Sequence, residues 1–443
     1  MAHTPRNSSH HTSGNYKWAV VAMLWLVCFF NYADRQAIFS VFPLLKTELD
    51  LSDTQLGALA SSFLWVYATA APFAGLIGDR FRRKSVILGG FFLWSVITVL
   101  TALSRKLSHL IFWRAAEGLG EAFYFPASMS LISDYHGPRT RSRAMSLHQS
   151  SVYAGTIGGG AIAGFMGERY GWGSTFWLFG IAGAVLSIVL VRFIHEPQRG
   201  QAEREEAGAQ LASSAGEALP EKRLPVREVL PEILSKPTAL LLMLVFFQAN
   251  FVAWVFLTWT PSFLKNKFGM SLTMSGIAGT TFIQVASVIG VLTGGWLADR
   301  LSRRHAGGRM QTQLIGLLCG APFIFVTGTT LSVPLLIVGM TGFGFFKGLY
   351  DANIFASLYD VIRPEARATA AGLLNMVGNY GGALAPIIVG IVSDRIGMST
   401  AIACSGFIYL LAASLLVVGL LAFVKKDVSA LRRALQSEQI KTA

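Results

Sequence analysis

Runs of about twenty apolar residues recur along almost the whole chain, and no other feature restricts its fold as strongly. Because the hydrocarbon core of a bilayer is about 30 Å thick, a helix needs roughly 20 apolar residues to cross it. Of the 443 residues, 53% are hydrophobic and 14% are charged, and the mean hydropathy is +0.51. This composition excludes a soluble globular domain and predicts an all-α membrane protein. The predicted spans are 17–43, 53–79, 85–104, 108–135, 142–168, 174–194, 238–264, 272–298, 311–330, 334–361, 368–392 and 399–424.

The chain is strongly basic, with 37 Lys and Arg residues against 24 Asp and Glu residues and a formal charge of +13. Such a charge raises the question of a nucleic-acid partner. With the N-terminus placed in the cytoplasm, however, most Lys and Arg residues fall in the loops and tails on the cytoplasmic side, as the positive-inside rule requires. The distribution argues against a nucleic-acid partner. It predicts a multi-pass protein of the bacterial inner membrane with both termini in the cytoplasm.

Polar segments divide the chain into two membrane halves. The segment between the sixth and seventh spans is rich in charged and small residues that cannot bury a core, so it is predicted to be a cytoplasmic linker. Both tails are also predicted to be cytoplasmic. The predicted division is a disordered tail 1–16, a six-helix bundle 17–195, a linker 196–236, a six-helix bundle 237–425 and a tail 426–443.

The two halves repeat each other in sequence. The segment GLIGDRFRRK, with Asp79, Arg80 and Arg83, recurs as GWLADRLSRR, with Asp299 and Arg300, at the same spacing. Parallel repeats of this kind place a substrate site between the halves, near the middle of the membrane. A second repeat aligns Asp134, Pro138 and Arg141 with Asp360, Pro364 and Arg367.

The loop motif GxxxDRxxRK, found between spans 2 and 3 and repeated between spans 8 and 9, resembles the signature of the major facilitator superfamily. The resemblance covers nearly the whole chain and implies twelve transmembrane helices in two pseudo-symmetric six-helix bundles. In that family the loop charges contact helix ends and help to hold the outward-facing state. An alternative is that the arginines only anchor the topology by snorkelling. The resemblance implies gating roles for Asp79, Arg80, Arg83, Asp299 and Arg300.

Ionisable residues within the predicted spans are few. Each is a functional candidate, because a charge in the bilayer core costs several kcal/mol unless it is paired or hydrated. In span 1, Asp34 and Arg35 lie on a polar stripe of the helix. In span 4, Arg114 and Glu121 are two turns apart on the same side, with Glu117 about 60° away around the helix. One buried site could therefore contain both signs of charge.

These charges suggest a way to couple an anion to protons. Arg35 and Arg114 are predicted to bind a carboxylate, because a guanidinium group forms two parallel hydrogen bonds with it at any physiological pH. Asp34 and Glu121 are predicted to load and release a proton, because hydration and a neighbouring arginine change the cost of ionising a buried carboxyl group. The alternative is that Asp34–Arg35 and Arg114–Glu117 are fixed salt bridges that only join helices.

The second half is not a copy of the first at these positions. Lys347 lies opposite Glu121 in the repeat, and Asp351 follows four residues later, a spacing that favours a structural ion pair over a coupling site. Amides offer donors and acceptors and so suit a hydroxylated anion, although each could instead join two helices. The predicted substrate-lining side chains are Tyr32, Gln149, Asn375 and Asn379.

Three segments, NYADR in span 1, FLTWTPSFL in span 7 and GLLNMVGNYGGALAPIIVG in span 11, resemble the anion:cation symporters. The resemblance implies a secondary active transporter, a symporter of protons with a sugar acid or another small carboxylate. It also implies that Asp34, Arg35, Arg114 and Glu121 couple protons and bind the anion. Two other segments, GLGEAFYFPA and DVIRPEARATA, resemble the Spinster-like branch, which carries lysophospholipids and sphingosine-type lipids.

Three functions therefore remain open: proton-coupled transport of an anion, transport of an amphiphilic lipid, and a sensor that binds without transport. The sequence contains no Walker lysine motif, nucleophile elbow or cluster of metal ligands. Neither an enzyme, a cofactor nor a metal is predicted. The expected partners are a small anion, protons and the lipid bilayer, and the expected oligomeric state is a monomer.

Overall fold

The computed structural model describes residues 15–78, 81–198, 201–202, 226–431 and 433, and its spanning helices form two six-helix halves. Spans 1 to 6 are Tyr16–Ser40, Asp53–Gly78, Arg83–Ala102, Leu107–Ala122 continued by Tyr124–Tyr135, Pro138–Tyr170 and Trp172–Phe193. Spans 7 to 12 are Pro237–Phe268, Leu272–Ser302, Gly308–Thr329, Val333–Asp351 continued by Ile354–Tyr359, Arg367–Ile396 and Met398–Val418. Shorter elements are Phe42–Glu48, Val226–Leu234, the 3₁₀ turn Pro364–Ala366 and the π turn Gly419–Phe423. The predicted fold of twelve helices in two bundles is confirmed.

Among the described residues, nine of these helices are long and apolar enough to cross a bilayer. Spans 2, 4 and 5 do not meet this criterion. The first segment of span 4, Leu107–Ala122, carries three charged side chains, Arg114, Glu117 and Glu121, and all three are buried. Neighbouring helices therefore cover its polar residues. Span 4 is also interrupted at Phe123, because Pro126 has no N–H to donate to the carbonyl three to four residues earlier.

Glycine allows close packing of spans 1 and 5. A methyl group on Gly159 would lie 2.4 Å from Cα of Ala33, which is too close for two non-bonded carbon atoms. One of the two helices would have to move to accommodate it. In lipid, helices associate largely through such close contacts, since apolar burial offers little driving force there. The glycine-rich sequence of span 5 thus brings it against the charged stripe of span 1.

The two ends of the bundle differ. We call the end that carries residues 194–198 and Val226–Leu234 the linker end, and the opposite end the far end. The two halves are in close contact toward the far end, where spans 5 and 8 cross. A methyl group on Gly276 would lie 2.1 Å from the carbonyl oxygen of Gly160.

Carboxylates also join the halves at the far end, by capping helix N-termini of the other half. Asp394 of span 11 accepts hydrogen bonds from the N–H groups of Asp53 and Thr54, at 3.0 and 2.8 Å, at the start of span 2. Glu168 of span 5 accepts one from the N–H of Thr273, at 2.9 Å, at the start of span 8. Helix N-termini have unsatisfied donors and partial positive charge, so both contacts are favourable. These contacts close the far end.

Arginine–aspartate pairs at the linker end follow the internal repeat. Arg83 pairs with Asp134 and Arg309 pairs with Asp360, and in each pair the residues are 51 positions apart. The loop motif alone aligns Arg83 with Arg303, but Arg303 is exposed. The structural counterpart of Arg83 is therefore Arg309, in the register that aligns Asp134 with Asp360.

Some predicted features lie outside the described residues. These are the loop residues Asp79 and Arg80, most of the linker, and most of both tails. Within the linker, the helix Val226–Leu234 packs against the second half through Ile233, which is fully buried. Its Glu232 lies 3.4 Å from Nε of Arg363.

Candidate functional site

Five charged side chains of spans 1 and 4 form one buried cluster in the first half. Arg35 donates a hydrogen bond to Glu121 at 2.6 Å, and Arg114 donates one to Glu117 at 2.5 Å. Asp34 completes the cluster, and all five residues are at most 7% exposed. Side chains that faced lipid would be exposed in this structure. The charges of spans 1 and 4 therefore point into the protein.

Asp34 is bonded differently from the other two acids. It accepts a hydrogen bond from the hydroxyl of Thr98 on span 3, and its carboxyl group lies within 4.8 Å of that of Glu117. Of the two alternative salt bridges, Arg114–Glu117 is formed, whereas Arg35 pairs with Glu121 instead of Asp34.

The cluster contains three carboxyl groups and two guanidinium groups, so its charge would be −1 if every group were ionised. A buried charge without compensation is costly. One oxygen each of Asp34, Glu117 and Glu121 lacks a hydrogen-bond donor within the part of the chain that is described. Oxygens of these three residues lie within 4.8 Å of one another, a spacing at which a small cation could contact all three. One added positive charge would make the cluster neutral.

Aromatic rings surround the two guanidinium groups. Arg35 lies 4.8 Å from the ring centre of Tyr32, 4.7 Å from that of Phe63 and 4.9 Å from that of Tyr67. Arg114 lies 4.8 Å from the ring centre of Phe63. Such contacts attract the cation to the ring face and keep it in place where water is excluded. The span 2 rings were not predicted from the sequence, although their spacing of four residues places them on one helix face.

The predicted amides lie apart from the buried cluster. Gln149 and Asn375 are exposed, and Asn379 is partly exposed. Gln149 is one helical turn from Tyr153, which lies near Lys347 of the second half. This places Gln149 on the side of span 5 that is turned toward the second half.

A partly open cavity of about 230 Å³ lies along the second half. The predicted ion pair is present on its wall, where Nζ of Lys347 donates to Asp351 and the side chains are 20% and 34% exposed. Because span 10 ends at the linker end, the cavity lies in that part of the bundle. The wall is completed by Phe246, Ala249, Asn250 and Ala253 on one face of span 7, and by Ile354 and Phe355 after Asp351.

The predicted gating residues occupy two settings at the linker end. Arg83 is buried in its pair with Asp134. Asp299 and Arg300 are exposed at the end of span 8, where Arg300 lies 5.7 Å from the ring centre of Trp296.

Comparisons with known proteins agree with this architecture. The family model of the Major Facilitator Superfamily matches residues 24–386 and 264–441. The probable galactarate/D-glucarate transporter GudP of Escherichia coli K12 is 26% identical over 407 residues, covering 88% of this chain and 90% of the relative. The hexuronate transporter of Bacillus subtilis 168 is 25% identical over 414 residues, covering 92% of this chain and 94% of the relative.

The fold also matches a solved structure. The crystal structure of a bacterial homologue of the human lysosomal transporter Spinster, in an inward-facing and unoccupied conformation, superposes with a TM-score of 0.79. It is 20% identical and covers 93% of this chain and 98% of its own, so this likeness concerns the fold alone. With the family match over most of the chain, the chain belongs to the Major Facilitator Superfamily and is a multi-pass membrane transporter rather than an enzyme.

Proposed function

We propose that this transporter is a proton-coupled symporter of a small organic anion, a sugar acid or a related carboxylate, that works by alternating access. The names of the galactarate/D-glucarate and hexuronate relatives support the substrate class. The observation that carries proton coupling is the unequal charge count of the sealed cluster, three carboxyl groups against two guanidinium groups. One proton balances that count.

The same charge count explains why binding of the anion and binding of the proton are linked. A substrate carboxylate that binds Arg35 takes the place of Glu121, whose carboxyl group is then left without its partner. Protonation of Glu121 removes this penalty, because a buried carboxyl group is stable when neutral. Asp34 holds the proton that balances the cluster when no anion is bound. Binding of the anion and binding of the proton therefore favour each other, and this coupling is reciprocal.

We also place the linker end in the cytoplasm of a bacterial cell, because the Lys and Arg residues concentrate there. In that orientation the closed far end faces the periplasm and the carrier is open to the inside. The loop charges Asp79, Arg80, Asp299 and Arg300 would then close the cytoplasmic side in the opposite state. The carrier acts as a monomer.

Transport by the purified protein in proteoliposomes tests this proposal. An acidic exterior should drive accumulation of labelled glucarate or glucuronate, and a protonophore should abolish it. Glu121→Gln removes the carboxyl group that takes up a proton when the anion binds, so anion binding no longer requires a proton. We expect this variant to exchange substrate across the membrane but not to concentrate it. Asp50→Asn, which removes a carboxylate outside the cluster, is the matched control.

Two results would overturn the proposal. One is Glu121→Gln that still concentrates substrate in response to a pH gradient. The other is accumulation in the wild type driven by a sodium gradient at equal pH on both sides, which would assign the balancing charge to sodium. Flux of a lysophospholipid without flux of any sugar acid would instead identify this protein as a lipid transporter. Binding of a sugar acid without flux would identify it as a sensor.

A further inference from the structure

The ion pair of Lys347 and Asp351 lies in a different environment from the cluster of the first half. Its two side chains are 20% and 34% exposed, whereas the side chains of Arg114 and Glu121 are sealed at 0%. A partly hydrated pair is weak, because water competes for both charges. An incoming anion can therefore replace Asp351 on the ammonium group of Lys347. It cannot reach Arg114 in this state.

The wall around this pair offers both polar and apolar contacts. The amide nitrogen of Asn250 donates to the carbonyl of Phe246 at 3.1 Å, which fixes the orientation of the amide. The rings of Phe246 and Phe355 meet edge to face, with centres 5.9 Å apart, and form an apolar patch on the same wall. Tyr153 of the first half lies near Lys347. The pair is thus located between the two halves.

We propose that, while the carrier is open at the linker end, Lys347 binds a carboxylate of the transported anion and Asp351 and Asn250 bind its hydroxyl groups. This rests on the proposed function, because it assumes that the substrate is a sugar acid. In the exchange, the substrate carboxylate takes the place of Asp351 on Lys347. The released Asp351 then accepts hydrogen bonds from substrate hydroxyl groups, and the aromatic patch covers the C–H face of the substrate.

The exchange also determines the class of substrate. An anion without hydroxyl groups would leave Asp351 without a donor and next to a second negative charge. A site that needs substrate hydroxyl groups rejects an analogue that lacks them far better than an apolar pocket rejects a change in size. The ligand class of this site is a polyhydroxylated carboxylate. Plain aliphatic acids are excluded.

A matched pair of ligands tests this site. Glucarate and adipate have the same six-carbon diacid skeleton, and only glucarate carries hydroxyl groups. In proteoliposomes we expect wild type to prefer glucarate. The double variant Lys347→Gln/Asp351→Asn removes both charges together and so keeps the cavity neutral and the fold intact. We expect it to raise the KM for glucarate about 10- to 100-fold, the range for losing a hydrogen bond to a charged group.

The single variants and the control separate the two roles. Asp351→Asn should reduce the preference for glucarate over adipate, whereas Lys347→Gln should weaken binding of both acids. Lys265→Gln, near the far end of span 7, is the control and should behave as wild type. An unchanged KM and an unchanged preference in the double variant, with wild-type transport of glucarate, would overturn this site and leave the proposed function intact. Absence of sugar-acid transport in the wild type would instead overturn the proposed function.

Discussion

The two halves of this transporter share a sequence repeat but hold their membrane charges in opposite ways. In the first half, a cluster of five charged groups is sealed against water, and this cluster contains one more acidic than basic group. The second half keeps one ion pair, Lys347–Asp351, partly exposed in a cavity. A sealed and unbalanced cluster is suited to holding a proton, whereas an accessible pair is suited to exchanging its partner. The comparison suggests that one half couples and the other half selects.

Removal of Arg114 should have the largest effect. Arg114→Met leaves Glu117 buried without its partner, and breaking a buried ion pair costs about 3–5 kcal/mol. We expect a marked fall in melting temperature in detergent and loss of transport. The double variant Arg114→Met/Glu117→Leu is the control, because it removes both charges. It should recover the melting temperature without recovering transport, and a stable single variant would contradict a sealed cluster.

Matched neutral substitutions in the two halves should separate coupling from selection. Glu121→Gln removes a protonatable group from the sealed cluster, so the ratio of internal to external substrate under a pH gradient should fall to about 1, as expected when the coupling free energy is lost. Asp351→Asn should keep the wild-type ratio at saturating substrate. The measurement is steady-state accumulation in proteoliposomes. Equal losses in both variants would show that the halves do not divide these tasks.

The repeated pairs at the linker end should differ in strength because they differ in burial. The side chains of Arg83 and Asp134 are 7% and 8% exposed, whereas those of Arg309 and Asp360 are 31% and 29% exposed. We expect Asp134→Asn to lower the free energy of unfolding by about 3 kcal/mol or more, as for a buried pair. Asp360→Asn should lower it by about 0–1 kcal/mol. Urea unfolding in detergent measures both, and similar losses would contradict the asymmetry.

The far-end caps should have modest effects and should behave alike in both halves. Glu168→Gln and Asp394→Asn each weaken a hydrogen-bonded cap of a helix in the other half. Loss of a cap costs about 0.5–2 kcal/mol, so each change should shift the equilibrium modestly toward opening at the far end. Single-molecule fluorescence transfer between the far-end loops would report the shift. A large effect of one cap alone would show that this end is asymmetric too.

Much of the site was predictable because helix periodicity is local. The i, i+7 spacing of Arg114 and Glu121 and the polar stripe around Asp34 and Arg35 predicted that these charges share an interior face, and all four are buried. Pairing was not predictable in the same way. Arg35 has Asp34 next to it in sequence but bonds to Glu121, since the crossing of spans 1 and 4 determines which carboxylate its long side chain reaches.

Exposure was equally hard to predict from spacing. Several polar side chains occur within spanning helices, and their spacing does not show what they face. They are Gln149, Asn375, Lys347 and Asp351. Whether such a position faces a sealed interface or an open cavity depends on how the two halves tilt against each other. The repeated spacing of 51 residues between paired arginine and aspartate likewise depends on helix packing, which puts Arg309 in the place that the loop motif suggested for Arg303.

The amino-acid sequence by itself determined that this chain crosses the membrane as two repeated six-helix halves with a few unlike charges inside, because apolar run length and helical spacing are local properties. The tertiary structure alone decided which charges meet, which of them water can reach and which end of the bundle is closed. Those outcomes depend on contacts between residues far apart in the chain, such as Asp394 with Thr54 and Arg35 with Glu121, which no local pattern encodes.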